Sequence, residues 1–272
     1  WKEAGEHCAV VRLAPGQPPL VRFACAQPAF CRQSEDGLRV SPLSVAPLLG
    51  VCQNCKDGEK LDIKWSLERE GSILGVSLPF TPTEKEAEGL DGPSLKLHPQ
   101  IWSGMIPLAR LHATVKIVRE DGSEASGSAW ISQDRAPKGG SCSVDPKEGV
   151  AGTTEFIMTC DGWEDPDDVS EESEIKNYRF SYKDKAGKRV SLYEGMFRQA
   201  RTFLEAGDRE VEAVVVDELG MASEPVFFSV AVAPMDFSKI NVKEKMAQQT
   251  GEAGPTKTLG FITAMSTSQA AL

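Results

Sequence analysis

Histidine is scarce in this sequence: His7, His98 and His112 are the three among 272 residues. None of them lies in a metal-binding or catalytic pattern. The sequence also lacks a Gly-x-Ser-x-Gly nucleophile motif and a phosphate-binding Gly-Lys-Ser/Thr loop. An enzyme would have to assemble its active site from scattered residues, so we expect no catalytic activity and no cofactor.

Long apolar runs and an excess of basic residues are missing as well. No run approaches the roughly 20 residues that span a bilayer as a helix, so the sequence predicts no membrane span. Acidic residues number 40 against 30 basic ones, which gives a net charge of -10. Such a chain is a poor ligand for phosphate backbones, and we expect no nucleic-acid partner.

Signals for glycosylation and secretion are also absent from the sequence. Each asparagine (Asn54, Asn177 and Asn241) lacks a Ser or Thr two residues on, so we expect no N-linked glycan. The chain begins at Trp1 and shows no signal-peptide pattern, and we therefore expect a piece of a longer protein.

Cysteine, by contrast, is abundant, with seven residues in the chain. Those in the N-terminal part are Cys8, Cys25, Cys31, Cys52 and Cys55. Disulfides are the first interpretation, and their pairing in this group stays open. The odd total leaves at least one cysteine without a partner inside the chain. The alternative is a structural zinc site formed by Cys25, Cys31, Cys52 and Cys55, although the spacing of the first two departs from the usual Cys-x-x-Cys half-site.

The remaining two cysteines, Cys142 and Cys160, bracket a Pro-Lys-Glu-Gly turn. Short strands are predicted over residues 142–145 and 154–160, on either side of that turn. Their placement on adjacent strands predicts a disulfide between Cys142 and Cys160. Closing a loop of this size stabilises a domain by roughly 3 kcal/mol.

A pattern of two apolar strands and a turn occurs twice in the chain. Residues 111–117 alternate between apolar and polar side chains, break at Asp121-Gly122 and resume through residues 129–131. The same pattern covers residues 211–215 and 226–232, about 100 residues later, which is the size of an immunoglobulin or fibronectin type III domain. The sequence therefore predicts an all-β fold of tandem immunoglobulin/fibronectin type III-like β-sandwiches with a short helical C-terminal tail.

The predicted domains follow from this repeat. Residues 1–135 form a β-sandwich with a Cys-rich N-terminal half, residues 136–234 form a second β-sandwich, and residues 235–272 form a helical tail. In the tail, Leu259, Ile262 and Met265 share one helix face. Because little chain is left to bury this apolar stripe, we expect it to contact a following domain or a partner.

Acidic residues crowd the segment that follows Cys160. Calcium is bound by six to eight oxygen ligands, and Asp161, Asp165, Asp167 and Asp168 are candidates to supply them. They lack the order of an EF-hand loop, so the first interpretation is a solvated acidic loop without a metal. Trp163, within the same segment, is expected to pack against the domain and not to stack on a sugar.

The cysteine and tryptophan motifs together resemble a known family. Gly139-Gly-Ser-Cys142 and Cys160-Asp-Gly-Trp163 are similar to the end of the receptor-for-egg-jelly (REJ) module of polycystin-like receptors. Cys52-Gln-Asn-Cys55 followed by Trp65 resembles its upstream part, and residues 210–220 resemble its final strand and Leu-Gly turn. The similarity covers most of residues 20–272, as the C-terminal part of the module.

The resemblance implies a location and partners. It implies the extracellular side of the cell-surface membrane, at cilia or flagella. The partners it implies are other segments of the same receptor, a polycystin-type channel subunit and extracellular structural proteins. We therefore expect a non-catalytic spacer and protein-interaction segment that couples the outer ectodomain to the membrane region. The alternative is a calcium-dependent carbohydrate- or matrix-binding adhesion module.

Overall fold

The computed structural model describes residues 19–34, 37–71, 77–105, 108–167 and 175–236. The chain divides into two compact units, Trp1–Asp134 and Arg135–Leu272. Among the described residues, no helix has the length and apolar character that a bilayer crossing needs.

The first unit consists of two sheets joined by loops and one 3-10 turn at Pro99–Trp102. Its strands are β1 (Val21–Cys25), β2 (Cys31–Ser34), β3 (Gly37–Val40), β4 (Ala46–Cys52), β5 (Leu61–Glu70), β6 (Ser77–Phe80), β7 (Ala87–Glu88), β8 (Ser94–Leu97), β9 (Leu111–Arg119) and β10 (Glu124–Gln133). One sheet has the order β1-β4-β8-β7 and the other β2-β3-β10-β9-β5-β6.

The core of the first unit lies between these two sheets. Along β5, Ile63, Trp65 and Leu67 are buried while the residues between them face outward, as the period-two pattern requires. Phe23 of β1 meets Trp65 edge to face, with ring centroids 5.3 Å apart. Because the two aromatic residues come from different sheets, this contact closes the sandwich.

The second unit repeats the arrangement with fewer strands. They are β11 (Ser141–Asp145), β12 (Glu148–Val150), β13 (Phe156–Asp161), β14 (Ile175–Lys183), β15 (Arg189–Gly195), β16 (Gln199–Thr202), β17 (Gly207–Asp217) and β18 (Val226–Ala233). One sheet has the order β11-β13-β16 and the other β12-β18-β17-β14-β15. Phe156 and Met158 of the small sheet and Phe180 of the large sheet are fully buried in one common core.

Both units end in the same way. The hairpins β9–β10 and β17–β18 are antiparallel pairs of long strands, at the positions where the sequence repeat predicted them. In each unit the last strand also pairs in parallel with a short early strand: β10 with β3, and β18 with β12. The parallel partner extends the sheet beyond the final hairpin, which would otherwise leave the backbone groups of the last strand unpaired.

The structure confirms the predicted all-β class and the β-sandwich architecture of both units. The predicted helical tail lies outside the described residues, as do Leu259, Ile262 and Met265. The expected disulfide between Cys142 and Cys160 is present, and these two residues stand directly opposite each other on β11 and β13.

Candidate functional site

The N-terminal cysteines form disulfides and not a zinc site. Cys25 pairs with Cys31, and Cys52 pairs with Cys55. Each bridge closes a short loop at the end of a strand of the first unit. Their sulfurs are therefore committed to covalent bonds, which excludes the tetrathiolate alternative. Cys8 lies outside the described residues.

In the second unit, the disulfide is followed by a tight aromatic contact. Gly162 has a positive φ of 71° and turns the chain so that Trp163 packs back against the core. The indole lies directly over Gly140, where any side chain would occupy the space of the ring. The glycine at position 140 is thereby explained by packing, and Trp163 is a half-buried anchor, as expected from the sequence.

Two large apolar side chains are exposed next to this anchor, in the turn between β15 and β16. Met196 is 76% exposed and Phe197 is 74% exposed. We call this pair the apolar tip. It borders a cavity of about 380 Å³. The cavity is lined by Cys160, Asp161, Gly162, Trp163, Ile175, Tyr178, Met196, Phe197 and Arg198.

The apolar tip is held by polar contacts on both sides. The backbone N–H of Phe197 donates a hydrogen bond to the Tyr193 hydroxyl at 3.1 Å. The Arg198 guanidinium lies 2.9 Å from the Asp161 carboxylate, and the Cys160 N–H donates to the Arg198 carbonyl at 2.9 Å. These contacts hold the backbone of the turn, so the two exposed apolar side chains are presented at a defined position on the surface. Solvent-exposed apolar side chains on a well-held backbone are typical of protein-contact sites.

The cavity has an exposed, charged rim and a partly buried aromatic wall. Asp161 and Arg198 form an exposed ion pair at its rim, with 58% and 71% of their side chains accessible. Burial raises the pKa of Tyr178 above its usual value, with smaller and opposed effects from Arg198 and Asp161. The cavity thus combines aromatic walls with one neutralised ion pair, a composition similar to the centre of a protein interface.

Among the described residues, the calcium candidates Asp161, Asp165 and Asp167 do not form one cluster. Asp161 pairs with Arg198. Asp167 accepts hydrogen bonds from the Arg135 backbone N–H at 2.7 Å and from the Arg135 Nε at 2.6 Å. Asp165 is buried, and Asp168 lies outside the described residues. Two of the four carboxylates are therefore used for arginine contacts.

The apolar tip was not found by sequence reasoning, which placed the interaction stripe at Leu259, Ile262 and Met265. The available signal was the sequence Gly195-Met-Phe-Arg198, in which two large apolar residues follow a strand that ends in glycine. Such a pair is equally compatible with the start of a buried strand. Its exposure depends on the bend between β15 and β16, which the pattern alone does not specify.

The described histidines lie beside carboxylates. His98 Nε2 lies 3.3 Å from the Glu88 carboxylate, and His112 Nδ1 lies 3.5 Å from that of Glu68. His112 also packs against Trp130, with ring centroids 4.8 Å apart. These two histidines are accounted for by contacts within the first unit.

Among the solved structures that resemble the chain are three of low sequence identity. Fibronectin(III)-like modules of Clostridium thermocellum CbhA match with a TM-score of 0.36 and 14% identity, over 78% of this chain and 94% of that one. The FN1–FN3 domains of chicken CNTN1 match with a TM-score of 0.30 and 11% identity, over 72% and 65%. The four N-terminal Ig domains of Dscam1 isoform 1.9 match with a TM-score of 0.26 and 12% identity, over 82% and 48%.

A family assignment comes from the sequence as a whole. The REJ domain family matches residues 8–260, which is most of the chain. The match includes the disulfide-linked strands, the Trp163 anchor, the apolar tip and both final hairpins. The chain therefore belongs to the REJ domain family.

Proposed function

We propose that this chain is a non-catalytic extracellular segment of a polycystin-like receptor, which spaces the outer ectodomain from the membrane and channel region and couples the two through protein contacts. Membership of the REJ domain family and the disulfide-linked β fold fit an extracellular location. The partners are other segments of the same receptor, a polycystin-type channel subunit and extracellular structural proteins, at cilia or flagella.

The observation that carries the proposal is the apolar tip. Met196 and Phe197 expose about three quarters of their side chains on a turn that is held by Tyr193 and Arg198. Burying a Phe or Met side chain contributes about 1.5–3 kcal/mol, so covering both by a partner gives a substantial part of a protein-protein affinity. Because hydrogen bonds hold the backbone of the turn in advance, binding has to order only the side chains.

The experiment replaces the apolar tip in the full receptor. The double variant Met196→Ser with Phe197→Ser is compared with Phe227→Ser, which removes another exposed aromatic side chain (54% exposed) from the same unit. Both are expressed at the cell surface, and co-precipitation of a polycystin-type channel subunit and cross-linking within the receptor are measured. We expect the double variant to weaken one of these associations by about tenfold or more. Phe227→Ser should leave both unchanged.

Equal association of the wild-type and double-variant receptors, at equal surface levels, would contradict a role of the tip in these contacts. The alternative function, calcium-dependent carbohydrate or matrix adhesion, draws less support from the described residues. This alternative relies on the carboxylates of Asp161 and Asp167, which form ion pairs with Arg198 and Arg135, respectively. Trp163, which an adhesion module would need exposed to stack on a sugar, packs against Gly140 and the core.

A further inference from the structure

A buried carboxylate with an unused oxygen lies at the end of β17. Asp217 is 1% exposed. Its Oδ1 accepts a hydrogen bond from the Met221 N–H at 2.8 Å, and its own N–H donates to the Met221 carbonyl at 3.1 Å. The other carboxylate oxygen, Oδ2, is buried and has no hydrogen-bond partner among the residues that the structure describes. A buried polar atom without a partner is costly, and in native proteins it often marks a missing ion or water.

A second buried carboxylate lies beside it. Asp165, in the loop after β13, is 7% exposed, and its Oδ1 accepts a hydrogen bond from the Asp167 N–H at 2.8 Å. Carboxylate oxygens of Asp165 and Asp217 approach within 4.8 Å of each other. Two anions this close in a protein interior repel each other unless a cation or a proton lies between them.

The electrostatics of Asp217 agree with a missing positive charge. Burial raises the pKa of Asp217 to about 6, the Asp165 charge adds to the rise, and hydrogen bonds from the backbone of Met221, Gly220 and Leu219 oppose it. Among the described residues, Asp217 takes part in no ion pair. Neutral pH lies above this pKa, so Asp217 is mainly ionised in the extracellular fluid.

We propose that Asp165 and Asp217 bind a hard divalent cation, calcium in the extracellular fluid. Calcium takes oxygen ligands at about 2.3–2.6 Å, so two oxygens on opposite sides of one ion stand roughly 4.6–5.2 Å apart. The Asp165 and Asp217 oxygens lie within 4.8 Å of each other, close enough for one ion to contact both. The donor pair contains neither sulfur nor imidazole, which favours calcium over zinc. Backbone carbonyls and water complete the coordination.

The cation ties two distant parts of the second unit together. Asp165 belongs to the loop that carries Trp163, and Asp217 ends the long strand β17 just before the Leu219-Gly220 turn. Cation binding therefore stabilises the loop that holds the aromatic anchor. This site is separate from the apolar tip, and its test is independent of the receptor-association experiment.

The test uses the full 272-residue chain, stripped of metal with a chelator at about pH 7.4. Calcium chloride or magnesium chloride is then added, with melting temperature and titration calorimetry as readouts. We expect 10 mM calcium to raise the melting temperature by about 3–8 °C, and magnesium to act more weakly. Asp217→Asn should abolish the calcium effect. Its melting temperature in chelator should equal or exceed that of the wild type, because the amide keeps the Met221 contact and removes the repulsion.

The matched control is Asp161→Asn, which changes an exposed carboxylate of the same segment and should keep the full calcium effect. The proposal is overturned if neither cation shifts melting or binds in the calorimeter. It is also overturned if Asp217→Asn retains the calcium shift, or if that variant is less stable than the wild type in chelator. Stabilisation by acid alone, without any cation effect, would show that the two carboxyl groups share a proton in place of an ion.

Discussion

At Gly140, a single hydrogen atom faces the indole ring of Trp163. A Cβ at this position would overlap the ring, and the ring cannot retreat easily because it packs against the core of the second unit. We expect Gly140→Ala to lower the free energy of unfolding by about 1–3 kcal/mol through overpacking. Chemical denaturation followed by tryptophan fluorescence measures this change.

The neighbouring substitution Ser141→Ala serves as the control for Gly140→Ala. Ser141 is exposed on β11, so its replacement should change stability by no more than about 0.5 kcal/mol. If Gly140→Ala is as mild as Ser141→Ala, the contact between Gly140 and Trp163 is looser than the structure indicates.

The titration of Asp217 makes the stability of the second unit fall as the pH rises. Its pKa is about 6 in the folded protein and roughly 3.9 in an unfolded chain, so the folded state binds more protons between these values. The contribution to stability is present below about pH 4 and is lost as the pH rises through 6. In chelator, the wild type should therefore lose about 2–3 kcal/mol relative to Asp217→Asn over this range.

Denaturant titrations of both proteins at several pH values measure that difference. The comparison with Asp217→Asn cancels the titration of carboxylates remote from Asp217, which the two proteins share. A constant difference between pH 4 and 7 would mean that Asp217 titrates normally, and a difference of opposite sign would mean that it has a cationic partner.

Among the elements, the disulfides differ in how much chain they close. Cys142 and Cys160 are 18 residues apart, whereas Cys52 and Cys55 are three apart. In the chain-entropy account, replacing the Cys142–Cys160 pair by alanines costs about 2–5 kcal/mol, and replacing the Cys52–Cys55 pair costs about 1–2 kcal/mol less. Equilibrium unfolding of the two double variants, each followed in its own unit, checks the order. A larger loss from the short loop would show that its role is native-state packing.

The long hairpins could be predicted from the sequence, but their short parallel partners could not. Alternation over residues 211–215 and 226–232 requires one buried face, and the Leu219-Gly220 turn sets the break. By contrast, β3 and β12 have four and three residues, too few for a period to be visible. Their position depends on the edge that the last strand leaves open, which is a property of the assembled sheet.

The same limit explains what was missed at the candidate sites. Asp165 was named together with its acidic neighbours in the sequence, yet the Asp217 carboxylate, from another part of the chain, approaches it within 4.8 Å. Asp217 stands at the end of an apolar strand in another part of the sequence and carries no local sign of burial beside Asp165. Met196 and Phe197 were overlooked because an apolar pair after a strand does not reveal whether it turns inward or outward.

For the whole molecule, the division into two compact units predicts that the second one folds alone. Residues 135–236 contain both of its sheets, its own core and the Cys142–Cys160 disulfide. Expressed without the first unit, this segment should show a strand-rich circular dichroism spectrum and a cooperative thermal transition. A gradual, non-cooperative transition would mean that its core depends on the rest of the chain.

The Cys142–Cys160 disulfide also determines how the second unit responds to tension. Load that enters along the chain from its N-terminal side reaches Cys142 and crosses the sulfur bridge to Cys160. Residues 143–159 then carry no load, and neither do the hydrogen bonds between β12 and β18. When the unit is pulled open, those residues add no contour length, which shortens its extension by roughly 60 Å at about 3.5 Å per residue. Reduction of the disulfide makes the length of residues 143–159 available again and places the parallel hydrogen bonds between β12 and β18 in shear. Under tension, the oxidised protein is therefore the shorter tether.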